Sequence, residues 1–136
     1  CIRQNHPGDS YGYRFEKDGR TVVYSTDSEH KDGGREEYER FLSFFSNADL
    51  LIFDAQYRFL DAVDTKENWG HSSNLLGVEM AAAAGVRRLC LFHNEHTFDD
   101  DALDRFLEDT RAYLKILDGS SSLKIDLAYD GLDIEL

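Results

Sequence analysis

Leu50-Leu51-Ile52-Phe53 runs straight into Asp54. Four apolar residues in a row, with no polar alternation, mark a strand buried on both faces, as in a parallel sheet. A second such strand is read from Val86 to Phe92, and it runs into His93. Upstream of the first strand, Arg35 to Ser46 has helical periodicity. Tyr38, Phe41, Leu42 and Phe45 share one face, and the stripe Tyr38, Phe41, Phe45 is expected in the core. Further upstream, Tyr11 to Lys17 and Thr21 to Ser25 read as two strands around Asp18-Gly19, a strong two-residue hairpin signal. The second of these ends in the polar cluster Thr26 to His30.

Downstream of Asp54, a short helical segment is expected from Tyr57 to Val63, then a loop that carries His71. Ser72 or Ser73 caps a helix from Asn74 to Ala84, and Gly85 closes it. Asp99 to Asp101 cap and charge an amphipathic helix reaching about Leu117. Leu123 to Ala128 reads as a late strand and Asp133 to Leu136 as a final one. A hairpin followed by alternating helices and strands predicts an α/β fold with a mixed sheet.

The chain has 136 residues, with 15 Lys+Arg against 27 Asp+Glu and a formal net charge of −12. That length suits one domain. Its acidity disfavours a general nucleic-acid binder, because the phosphate backbone repels the mean field. A local cation site stays compatible with it, since bound metal inverts local electrostatics. Two cysteines, Cys1 and Cys90, make no disulfide framework. No apolar run reaches membrane-spanning length and no signal peptide opens the chain, so a cytoplasmic location is expected. The start on Cys1 and not Met points to a piece of a longer protein in preference to a mature lipoprotein.

Three strands end in potential ligands: Asp27, Asp54 and His93. Two more histidines stand in loops, His6 ahead of the first strand and His71 at a helix entry. Each has an ordinary reading, since an Asp after a strand commonly caps a turn and a loop His is commonly solvated. Their interest is joint, because an α/β sheet gathers such groups beyond the carboxyl ends of its strands.

His6-Pro7-Gly8, Val22 to Asp27, Asp49 to Tyr57, Trp69 to Ser73 and Gly85 to His93, in that order, resemble the C-terminal half of a metallo-β-lactamase-fold metallohydrolase. The nearest branch is that of ribonuclease Z and phosphodiesterase-like enzymes. The resemblance implies half of an αββα sandwich, with a mixed sheet and helices covering one face. Residues 1–136 would be the C-terminal portion of the domain, and the His-x-His-x-Asp-His motif of the other half is absent from the chain. His6, Asp27 and His93 would be metal ligands, Asp27 bridging two ions of a dinuclear centre. The metal would be zinc, with manganese or iron as alternatives. His71 would be catalytic near the scissile phosphate, oriented by Asp54, where the commoner residue is Glu. No organic cofactor is implied.

The parent would cleave a phosphodiester or similar ester with metal-activated water, on a small phosphorylated substrate; the chain alone would be inactive. Nucleic acid as a partner is not expected. The inner sheet face, taken to carry Val23, Ile52 and Leu91, would need the N-terminal half of the domain or a dimer mate. The alternative is a non-enzymatic acidic module, receiver-like or flavodoxin-like, holding magnesium on carboxylates alone.

Overall fold

Asp18 and Gly19 both have positive φ, 51° and 75°, as the tightest hairpin turn requires. They join β2 (Tyr11–Lys17) to β3 (Arg20–Ser25). The computed structural model describes residues 1–30, 34–58 and 69–136. The remaining elements there are β1 (Ile2–Arg3), α1 (Arg35–Phe45), β4 (Leu50–Asp54), α2 (Asn74–Ala83), β5 (Arg88–Phe92), α3 (Asp100–Leu117) and β6 (Lys124–Leu127). Ser73 caps α2 by accepting from the Leu76 amide, and Asp99 caps α3 by accepting from Ala102. Of the short helix expected after Tyr57, the part beyond residue 58 lies outside the described residues. Tyr57 itself forms a parallel bridge with Ser73.

Among the described residues the six strands lie in sequence order, β1 to β6. The first three are antiparallel, and β3 to β6 are parallel. Parallel crossovers are right-handed. Since the strand order never reverses, each crossover helix lands on the same side of the sheet. Among the described residues one face is therefore covered and the other is left open. A receiver-like or flavodoxin-like sheet reverses its strand order and carries helices on both faces, so this topology is not theirs.

The core fills the covered side. Val23, Leu51, Leu89 and Ile125 are register partners across four strands. They pack with Phe53, Leu91, Phe41, Phe45, Val78, Met80, Phe106 and Leu114 in one buried cluster. This corrects the grouping of Val23, Ile52 and Leu91 on one inner face: Val23 and Leu91 lie under the helices, while Ile52, of opposite parity, pairs with Tyr24 and Cys90 on the open face. Tyr11, Tyr13 and Phe15 of β2 and Phe92 of β5 are exposed. Two further expectations fail. Tyr38 sits at the margin of its helix stripe and is 38% exposed, and Asp133 to Leu136 forms no strand. Cys1 is exposed, Cys90 is buried, and both are free thiols. No helix of the described residues is long and apolar enough to cross a membrane.

Candidate functional site

Because β3, β4 and β5 run parallel, their carboxyl ends share one edge of the sheet. Asp27, Asp54 and His93 meet there. Asp27 has φ 54° and His93 φ 62°. Left-handed backbone costs a non-glycine residue on the order of 1 kcal/mol or more and clusters where function demands a particular side chain. His93 Nε2 lies 3.4 Å from Asp27 Oδ1. Its Nδ1 is buried without a hydrogen-bond partner among the described residues.

Asp54 is fully buried and accepts a dense set of hydrogen bonds. Oδ2 takes the Ser28 amide at 3.1 Å and the His71 Nδ1 proton at 2.7 Å. Oδ1 takes the amides of Gln56 and Ser72, each at 3.3 Å. The carboxylate thus ties three loops together and fixes the His71 tautomer, leaving Nε2 to face the site. Burial is the largest influence on His71 and pulls its pKa down. The hydrogen bond to Asp54 and the charges of Asp54, Asp27 and Glu29 outweigh burial, so the pKa is raised above 6.5. Tyr57, whose ring is 6.0 Å from His71, has its pKa raised by burial first and then by Glu95, Asp54 and Glu29. The carboxylates that contribute to both shifts, Asp54 and Glu29, make the local field negative, which favours a cation.

His6 comes from the loop between β1 and β2. Its ring centroid is 5.5 Å from that of His71, which is 4.5 Å from that of His93. Ligand atoms of His6, Asp27 and His71 all lie within 4.8 Å of one another. The structure therefore gathers every candidate, but in a different grouping. His71 stands inside the ligand cluster, while His93 touches it through Asp27 and His71.

Two imidazoles and a carboxylate suit zinc, manganese or iron, and the Asp54–His71 pair is the usual outer support of a ligating histidine. The donor set fits a divalent cation. One detail has a cost. The Gly8 amide donates to His6 Nδ1 at 3.1 Å, which puts the proton of neutral His6 on Nε2. Ligation through Nε2 moves that proton and breaks this bond.

Sequence reasoning missed the residues that hold the loops. Gln4 is buried, donates through Nε2 to the Thr26 carbonyl at 2.6 Å and to Ser10 Oγ at 2.9 Å, and accepts from Ser25 Oγ. It staples the loop that carries His6 to the Asp27 turn. Ser72, read as a possible cap, is a latch: it donates to the Ser28 carbonyl at 2.6 Å and accepts from the His30 amide at 3.0 Å. Glu29 accepts from the Gly70 amide at 3.0 Å. A Cβ at Gly70 would fall 2.4 Å from His6 Cδ2, so only glycine fits. His30, read as part of a polar cluster, is buried among Phe41, Phe45 and Phe53. No pattern in the sequence announces these partners, because each joins segments far apart in the chain.

Residues 2–94 match the family described as "Beta-lactamase superfamily domain". The chain is 30% identical over 109 residues to a ribonuclease Z of Brevibacillus brevis, covering 80% of this chain and 32% of that protein. It is 36% identical over 86 residues to a ribonuclease Z of Picrophilus torridus, covering 62% of this chain and 25% of that one. Among solved structures it superposes on the metallo-beta-lactamase fold protein YhfI from Bacillus subtilis with a TM-score of 0.71 and 27% identity, over 96% of this chain and 46% of that one. The chain spans about a third or less of the length of these ribonuclease Z relatives.

Proposed function

The chain belongs to the beta-lactamase superfamily, with the metallo-β-lactamase fold, and from that premise we propose that it carries one part of a metal-dependent phosphodiester-hydrolysing site. The observation that carries the reading is the gathering of four side chains at one sheet edge: ligand atoms of His6, Asp27 and His71 lie within 4.8 Å of one another, His93 Nε2 lies 3.4 Å from Asp27, and His71 is locked by buried Asp54. In this reading His6, Asp27 and His93 are the metal ligands, and zinc is the first choice, with manganese or iron next. A bound divalent cation supplies an activated water and neutralises charge on the scissile group.

His71 does the proton work. Asp54 holds Nδ1–H, so Nε2 is the atom that faces substrate and passes a proton to the leaving oxygen. The negative surroundings that raise its pKa favour the protonated, donating form. Asp27 presents its carboxylate from a strained turn that aims it at the ligand cluster. Gln4 and Ser72 position the two turns and touch no reacting atom.

Residues 1–136 are proposed as the C-terminal portion of a larger domain, inactive alone, since the His-x-His-x-Asp-His motif is absent from them. The open sheet face supports this: Phe15, Tyr13 and Tyr11 stand exposed there, and an apolar face of that kind calls for a cover. We assign the cover to the N-terminal portion of the same domain, with a second copy of the chain as the other candidate. A small phosphodiester remains the favoured substrate. The name of the ribonuclease Z relatives weighs against excluding RNA on net charge, and the −12 of this portion need not describe the field of a complete, metal-loaded site.

Metal content and hydrolysis of bis(p-nitrophenyl) phosphate, both measured on the full-length parent protein, test the reading. Asp27→Ala and His93→Ala should lose metal. His71→Ala should keep metal and lose turnover. Metal lost in His71→Ala but retained in His93→Ala would exchange the roles of the two histidines. Unchanged rates in all three would refute the site.

A further inference from the structure

The loops that carry His6, Asp27 and His71 come together at Glu29, two residues after Asp27. The Glu29 amide donates to the carbonyl of Asn5, the residue before His6, at 2.8 Å. The Glu29 carboxylate accepts from the amide of Gly70, the residue before His71, at 3.0 Å. One residue therefore bonds to a chain neighbour of each histidine. The three segments it joins are those whose His6, Asp27 and His71 ligand atoms lie within 4.8 Å of one another.

The bond to Gly70 bears on both histidines. On the far side of His71, Ser72 is fixed by Ser28, His30 and Asp54. Gly70 is the near side, so Glu29 completes a bracket around His71. Gly70 also lies against His6: an added Cβ would stand 2.4 Å from His6 Cδ2 and 2.6 Å from Pro7 Cδ. The carboxylate that holds Gly70 thus also backs the His6 ring. A backbone amide bound to a carboxylate is roughly twice as strong as a neutral pair, which suits a clamp.

We propose that Glu29 is a positioning residue that sets the separation of His6 and His71 before a metal binds. It is neither a ligand nor a catalytic residue. The proposal rests on the metal-site reading and names a residue that reading does not use. Outer partners of this kind are commonly worth about 10- to 100-fold in metal affinity.

The test uses the full-length parent protein with Glu29→Leu and Glu29→Gln. Leucine removes the acceptor, whereas glutamine removes the charge and keeps an acceptor oxygen. Hydrogen exchange of the metal-free protein reads the clamp: the Gly70 amide should exchange about 10- to 100-fold faster in Glu29→Leu, as loss of a hydrogen bond to a charged group implies. Calorimetric titration with zinc should show binding weakened by about 10- to 100-fold in Glu29→Leu. Glu29→Gln should recover most of both effects. A purely structural role would lower the thermal midpoint and leave the zinc affinity of the folded protein as it was. Unchanged zinc affinity in Glu29→Leu, unchanged Gly70 exchange, or a Glu29→Gln variant as weak as Glu29→Leu would overturn the proposal. Failure of the metal-site reading would show separately, as a parent that binds no zinc while Gly70 exchange still responds to Glu29→Leu.

Discussion

His30 makes the fold acid-sensitive. Its imidazole is stacked on Phe53 at 5.1 Å and meets Phe41 edge-on at 4.4 Å. Neither ring nitrogen has a hydrogen-bond partner among the described residues. A cavity of about 10 Å³ beside it, lined in part by Asn5, Glu37 and Met80, is at the lower limit for one water. Burial, aided by the charge of Arg40, lowers the pKa from 6.5 to about 3. The unfolded chain takes up a proton near 6.5 while the folded chain refuses it until about 3. The stabilising effect of keeping this ring neutral is thus complete above pH 6.5 and is lost as pH falls.

At about 1.4 kcal/mol per pH unit, going from pH 7.5 to pH 5.0 removes about 2 kcal/mol through this one residue. His30→Phe keeps the aromatic packing and deletes the titration. Urea unfolding followed by far-UV circular dichroism at both pH values measures it. Other titrating groups act on parent and variant alike and cancel in the difference. The variant should gain about 2 kcal/mol on the parent between pH 7.5 and 5.0. A parent–variant difference that stays constant with pH would refute a neutral, buried His30.

Asp54→Asn sets an amide NH₂ among N–H donors that now meet a carboxylate. It should cost about 3 kcal/mol, seen as a fall of about 10 °C in thermal midpoint. Asp27→Gly should be more stable than Asp27→Val by about 2 kcal/mol, because valine is strained at φ 54° and glycine is not; both should lose zinc affinity by calorimetry. Gln4→Leu leaves the Ser25 hydroxyl without its acceptor and the Thr26 carbonyl with only the longer bond from Ser10 Oγ. It should lower stability by about 2 kcal/mol in chemical denaturation.

The sequence made most of the fold readable because its signals are local. Asp18-Gly19 sets a turn by its own backbone preference, and Ser73 and Asp99 cap helices within three residues of themselves. Leu50 to Phe53 announces a buried strand without reference to any partner. What escaped depended on distant geometry. β1 is two residues long, too short for a period. The assignment of Val23 and Leu91 to the open inner face beside Ile52 failed on parity, because one step along a strand moves a side chain to the other face. The ends of three strands pointed to Asp27, Asp54 and His93. That His71 stands inside the ligand cluster while His93 stands at its border is a matter of ångströms, which residue order does not encode. His30 was hidden by its polar neighbours Ser28 and Glu29.

The unreversed strand order also shapes how this chain acquires its structure. Each strand after the first pairs with the one made just before it, so each pairing closes only the crossover between the two. Those crossovers are long, with the register partners Val23 and Leu51, Leu51 and Leu89, and Leu89 and Ile125 lying 28, 38 and 36 residues apart, and parallel pairing of that kind forms slowly. The hairpin at Asp18-Gly19 is the natural nucleus. From it the sheet grows at a single edge, one crossover unit at a time, in the direction in which a ribosome delivers the chain.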